Sequence, residues 1–321
     1  GGIMTNPFFT KAIFSWNVPA VDGGNPAKFA DRLKAAGFEA VYLKAADGGF
    51  AFTPNRITYL GWGENIRADM VSALKGRGIK VIGWQFNYGD NILKEADIAA
   101  SQTLRFNLDG WIFDIESKFE ANTNAVSNAY ALCNEYRKRC PSIPLGFCSW
   151  AQWRSSTGVL WHNENMAKAF MEKCDVGMPM MYWGGSSPST ALWLLNESLR
   201  LWRNITNKPI IPVGRAYTGD GGYLNAGTMT AFANEVRNKG LRGLSWWLLD
   251  QVVKDVSAWG ALTAIPKFAP VPEPQPEPQP EQPEQPLEQK LAALEKRVAA
   301  LEKLHQNELY PYSVSIPYVS K

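Results

Sequence analysis

Eight short apolar runs, each followed by an amphipathic run, fill the chain from residue 11 to about residue 264. The apolar runs fall at 11–17, 40–46, 80–86, 110–116, 144–150, 176–182, 209–215 and 243–249. Between them, 26–36, 66–76, 91–104, 123–139, 164–173, 189–204, 226–239 and 252–262 read as helices. Gly37, Gly78 and Gly240 stand where helices stop. Eight strand–helix units over this length predict an α/β fold, a (β/α)8 TIM barrel spanning residues 5–268. A doubly wound open sheet is the alternative. No G-x-G-x-x-G follows the first run, which argues against a dinucleotide site.

Composition narrows the chemistry. The chain has 321 residues, 45% of them hydrophobic, and can bury a large core. A net charge of +3 is too small to argue for nucleic acid. No apolar run is long enough for a membrane span. The two histidines, His162 and His305, leave almost no material for a Ser-His-Asp, Cys-His or multi-His metal site. His162 follows an aromatic run at a helix start and reads as structural. Cys133, Cys140, Cys148 and Cys174 lack C-x-x-C spacing and are expected mostly as buried thiols, which leaves the redox compartment open. No cofactor or metal is implied: an oxygen-ligated cation at Asp114, Glu116 and Glu120 has no loop spacing behind it. An enzyme built on this chain must work with carboxylates, tyrosine and backbone. Gly1-Gly2-Ile3 reads as a tag remnant or processing scar, and no signal-peptide pattern follows Met4.

The segment 108–116 reads Leu-Asp-Gly-Trp-Ile-Phe-Asp-Ile-Glu. Strand residues two apart share a face, so Asp114 and Glu116 point the same way near a strand's C-terminal end. Like charges that close resist joint ionisation, and one tends to hold a proton. That is what a general acid requires. A solvated pair, or one held by Lys or Arg, is the plainer reading. In a barrel the site lies at the C-terminal strand ends. There the sequence places Trp16, Asp47, Trp84, Gln85, Trp150, Tyr182, Trp183, Arg215, Trp246 and Trp247 around the carboxylates. An aromatic ring around a carboxylate pair suits a carbohydrate. Alternation sends one of each adjacent pair away from the cleft.

After the barrel, residues 269–286 alternate Pro, Glu and Gln. Such a spacer is extended, reaching roughly 50 Å at about 3.1 Å per residue. Residues 287–305 carry heptads, with Leu287, Leu294 and Leu301 at d and Leu291 and Val298 at a. Lys290 and Arg297 at g face Glu295 and Glu302 at e of a parallel neighbour. The segment predicts a coiled-coil homo-oligomer, a parallel trimer; a single amphipathic helix docked on the barrel is the alternative. Residues 306–321 read as a docking peptide for a protein partner or as a disordered end. A globular head, spacer, coil and short tail suit a virion-associated or cell-surface appendage.

Two families share these motifs. Asp109–Glu116 resembles the D-G-x-D-x-D-x-E signature of glycoside hydrolase family 18 chitinases, on the fourth strand as in that family. Met180-Met181-Tyr182 resembles its M-x-Y on strand six, and 243–250 resembles the strand-eight segment that supplies a Trp floor. The middle Asp of the signature is Ile112 here, and the Asp expected after the Tyr is Trp183. Val41–Gly48 is similar to the second-strand segment of family 25 muramidases, which also carry D-x-E on strand four; their first-strand Asp is absent. Both resemblances imply cleavage of an N-acetylated β-linked glycan, peptidoglycan or chitin-like. They imply Glu116 as general acid, with Asp114 orienting an acetamido group or steadying the ring cation. Tyr182 would hydrogen-bond the acetamido carbonyl, and Trp246 or Trp247 would stack under the sugar. Asp47 and Arg215 would bind hydroxyls or a carboxylate. The lost carboxylates favour the alternative, a glycan-binding head that does not cut.

Overall fold

A computed structural model describes residues 6–54, 63–219 and 222–268, together with 291, 295, 296 and 298. The chain divides into two units, Gly1–Pro270 and Val271–Lys321. In the second, Leu291, Glu295, Lys296 and Val298 are helical, and Leu291 and Val298 are exposed. The spacer, most of the heptad segment and the tail lie outside the described residues.

The first unit is a closed barrel of eight parallel strands. The strands are β1 (Lys11–Ser15), β2 (Ala40–Asp47), β4 (Lys80–Asn87), β5 (Gly110–Ile115), β6 (Leu145–Trp150), β7 (Val176–Met181), β8 (Val213–Arg215) and β9 (Leu244–Trp247). They pair in chain order, and β1 closes the ring by pairing with both β2 and β9. A two-residue strand, β3 (Phe50–Ala51), folds back antiparallel on the end of β2. Strand β8 is shorter than the apolar run that encodes it. Pro209 and Pro212 have no N–H to give a ladder, so pairing upstream of Val213 shrinks to a bridge between Gly177 and Ile210.

The helices are α1 (Pro26–Ala35), α2 (Ala68–Gly76), α3 (Ile92–Arg105), α4 (Ser117–Glu120), α5 (Ala125–Arg139), α6 (Glu164–Lys173), α7 (Pro188–Arg203), α8 (Ala226–Asn238), α9 (Leu249–Val252) and α10 (Val256–Ala264). Asn25, Asn91, Asn163, Asn225 and Asp255 cap α1, α3, α6, α8 and α10, each side chain accepting an N–H three residues on. Each cap contributes about 1 kcal/mol.

Strand alternation builds two apolar layers. Ala12, Phe14, Tyr42, Ile82, Trp84, Ile112, Cys148, Met178 and Val213 fill the barrel interior, with Phe8 among them. Ile13, Val41, Val81, Trp111, Phe113, Ile115, Phe147 and Trp246 pack outward under the helices. Three tryptophans of this outer layer, Trp111 and Trp246 on strands and Trp202 on α7, lie over strand glycines. A Cβ on Gly83 would meet Trp111 at 2.4 Å, and one on Gly177 would meet Trp202 at 2.5 Å. One on Gly214 would meet Trp246 at 2.7 Å. Much of the tryptophan content is therefore helix-layer core. All four cysteines are buried free thiols, with Cys133 and Cys174 Sγ atoms 4.0 Å apart. Among the described residues no helix is long and apolar enough to cross a membrane.

Candidate active site

Alternation along β5 sends Ile112 and Asp114 into the barrel and Trp111, Phe113 and Ile115 toward the helices. Asp114 lies in register between Phe86 of β4 and Cys148 of β6. Glu116 follows as the strand ends and α4 begins. Both carboxylates line a pocket of about 220 Å³ at the C-terminal mouth, with Phe14, Cys148, Trp150, Met180, Tyr182, Tyr217 and Trp247. That is small beside the roughly 300–1,000 Å³ of pockets that enclose drug-sized ligands. A ligand longer than the pocket must lie across the rim.

The pocket floor is apolar. Ile112, directly below Asp114 on the same face, is fully buried. Asp114 Oδ1 is buried with no hydrogen-bond partner among the described residues. Burial pushes the Asp114 carboxyl well above its usual range, and the nearby Glu116 charge pushes it further; Lys44 partly opposes them. Asp114 therefore holds its proton far more firmly than a surface carboxylate. Burial likewise raises the Tyr182 phenol and the Cys148 thiol, both near Asp114 and Glu116. Cys148 is thus an un-ionised wall of the pocket rather than a nucleophile. Tyr182 packs edge-on against Tyr217, with centroids 5.2 Å apart.

The rim is aromatic. Trp247 stands edge-on to Phe14 at 5.5 Å and to Trp84 at 5.3 Å, and tilts against Trp16 at 5.9 Å. Trp16 is 44% exposed. Trp150 stacks on His162 at 4.4 Å and donates Nε1–H to Glu120 Oε2 at 3.2 Å. Glu120 also pairs with His162 Nδ1 at 3.0 Å and accepts the Asn163 N–H. His162 and Glu120 thus hold Trp150, and Glu120 is spent on that task.

Several residues expected in the cleft are elsewhere. Trp246 is buried against Phe232 and Trp183, on the helix side, because Trp247 takes the cleft face. Trp183 is buried there as well, 4.8 Å from Phe232. Gln85 is buried and donates to Gly48 O at 2.7 Å and Glu95 O at 3.1 Å, away from the pocket. Trp84 faces inward but lies below the pocket and donates to Ser15 O at 3.2 Å, so it supports Trp247 rather than touching a ligand. Arg215 is fully buried and donates to Gly185 O, Gly222 O and Tyr223 O, tying together the loops after β7 and β8. Asp47 accepts from Lys44 Nζ at 2.6 Å and Tyr88 Oη at 2.8 Å, outside the pocket lining. Asp109 is at the opposite end of β5, where its Oδ2 accepts the Val81 N–H at 2.8 Å.

The sequence reading missed Phe14, Cys148, Met180 and Tyr217. Phe14 and Cys148 each stand two residues before a named residue, Trp16 and Trp150. The period of two would have found them. Tyr217 comes from the loop after β8, where no periodicity applies. Asp250, on α9, accepts from Ser15 Oγ at 2.8 Å, the Trp16 N–H at 3.2 Å and the Asn17 N–H. Burial raises its carboxyl to about 6 despite those donors.

No family model and no curated protein matches this chain. Solved structures do. The barrel is similar to a family 18 chitinase from Pseudoalteromonas aurantia, with a TM-score of 0.59 and 17% identity, over 79% of this chain and 98% of that one. A class V chitinase from Nicotiana tobaccum aligns with a TM-score of 0.55 and 11% identity over the same shares. An endo-1,4-β-D-mannanase from Thermotoga petrophila reaches a TM-score of 0.55 and 11% identity over 74% of this chain and 87% of that one. The chain thus shares the (β/α)8 fold of family 18 chitinases, and of a mannanase beside them.

Proposed function

We propose that this chain is a glycoside hydrolase acting on an N-acetylated β-linked glycan, chitin-like or peptidoglycan, with Glu116 as general acid. One observation carries the reading: Asp114, buried on an apolar floor, shares a small pocket with Glu116, Tyr182 and Trp247. The likeness to chitinase barrels supports it. The pocket lining offers no further carboxylate as nucleophile, and substrate-assisted cleavage needs none. In that mechanism the acetamido oxygen attacks the anomeric carbon while Glu116 protonates the leaving oxygen. Glu116, now a carboxylate, then takes a proton from the water that opens the cyclic intermediate. Asp114 sets the proton inventory. Burial favours the protonated form of Asp114. An acetamido N–H hydrogen-bonded to Asp114 favours its carboxylate instead. Tyr182 donates to the acetamido carbonyl, and Trp247 stacks beneath the ring. Glu116→Gln is expected to lower release of reducing ends from chitin oligomers or peptidoglycan by about 10²–10⁴-fold while the fold stays intact. Wild-type turnover in that variant removes Glu116 from the role.

Ile112 favours a second reading, a glycan-binding head that does not cut, because Asp114 has an apolar side chain below it where the family signature has a carboxylate. Calorimetry separates the two: oligosaccharide binding without bond cleavage over long incubation selects the binding head. Either head fits an appendage in which residues 287–305 join copies as a parallel trimer, 269–286 space the heads, and 306–321 dock to a protein partner.

A further inference from the structure

The side chains that hold Trp16 form a clamp that the chemistry above does not use. Trp16 lies on the loop after β1, and its backbone is held at both ends. Its N–H donates to Asp250 Oδ2 at 3.2 Å, and its carbonyl accepts from Asn65 Nδ2 at 3.0 Å. Asp250 Oδ2 also takes the Asn17 N–H, and Oδ1 takes Ser15 Oγ at 2.8 Å. The ring sits with Lys44 Nζ 4.8 Å from its centroid and leans on Trp247 at 5.9 Å. Asp250 itself stands three residues after Trp247, on α9. One carboxylate therefore spans the seam where β9 closes onto β1 and ties the loop bearing Trp16 to the strand end bearing Trp247. Ordering a loop costs binding free energy, and the backbone that carries Trp16 is held in advance.

We propose that Asp250 is a positioning residue: it sets Trp16 beside Trp247 as one stacking surface for the part of a glycan that extends beyond the carboxylate pocket. The inference rests on the glycan reading above. The geometry supports it in three ways. Asp250 reaches Trp16 through backbone and Ser15 rather than through the ring, so it orients without occupying the surface. Trp16 stays 44% exposed while its backbone is fully engaged. The pocket holds about 220 Å³, so any longer ligand must cross this rim.

The test measures binding of chitin disaccharide and tetrasaccharide by calorimetry, with Glu116→Gln as the parent so that no bond is cut. Asp250→Ala is expected to weaken the tetrasaccharide about tenfold, the worth of one well-placed aromatic stack, and to weaken the disaccharide, which puts at most one sugar on the rim, by less. Asp250→Asn restores most of the loss, because an amide oxygen still accepts the two N–H groups and its NH2 can donate to Ser15. Asp250→Ala combined with Trp16→Ala is no weaker than Trp16→Ala alone. Should Asp250→Ala not fold, Ser15→Ala loosens the same clamp, with an expected loss of about two- to threefold for the tetrasaccharide and a smaller one for the disaccharide. Parent-like tetrasaccharide affinity in Asp250→Ala or Ser15→Ala, equal losses for both oligomers, or additive losses in the double variant overturn the positioning role. A parent that binds neither oligosaccharide is a separate result, and it overturns the glycan reading itself.

Discussion

At Asp114, burial and a like charge act in the same direction, and the consequence is measurable. The folded chain holds this proton to higher pH than the unfolded chain, where a carboxyl titrates near about 3.9. Above that value the folded state binds more protons than the unfolded state, so the stability contribution falls as pH rises toward the folded pKa. Asp114→Asn removes the titration. It is expected to raise the Tm at pH 8 relative to wild type, with a smaller gain at pH 4, read by thermal unfolding at both pH values. A gain that does not depend on pH contradicts the sign. Arg215 shows the opposite use of a buried charge. Its Nη1 and Nη2 donate to loop carbonyls, so Arg215→Leu removes the donors those carbonyls accept from. A destabilisation of about 2–3 kcal/mol is expected by denaturant unfolding.

At the scale of elements, the period of two decides which neighbours share a task. Trp246 and Trp247 are adjacent on β9, yet one is core and the other is site. Trp246→Ala is expected to cost about 3–5 kcal/mol of stability, whereas Trp247→Ala lowers glycan affinity with a smaller stability loss. Unfolding and calorimetry on the two variants check this pair. The glycine positions of neighbouring strands belong to the same packing scheme. Gly177→Ala drives a Cβ toward Trp202 and is expected to cost about 1–3 kcal/mol. Asp114, Glu116, Tyr182 and Trp150 line the pocket, and each sits on or just after a strand whose inward face can be counted from the sequence. Gln85, Trp183 and Trp246 lie away from the pocket, the members of adjacent pairs that alternation turns outward; which member turns is read from the strand register.

On the scale of the whole molecule, the barrel carries the site and the heptads predict assembly. Leu291 and Val298 are helical, exposed and seven residues apart, the spacing of one a position to the next. Light scattering of the full chain at micromolar concentration is expected to give three times the chain mass; a monomer mass removes the trimer. Eight strand–helix units, the carboxylate pair on the fourth barrel strand and the near-absence of histidine were written in the sequence, because each depends on local period or composition. Ring closure brought Asp250 to Trp16 and Trp84 under Trp247, and it set Tyr217 beside Tyr182. Those pairings join residues far apart in sequence through the seam between the last strand and the first and through loops over the barrel mouth. No local pattern encodes such contacts. Apolar surface and partnered hydrogen bonds select them only once the ring has closed.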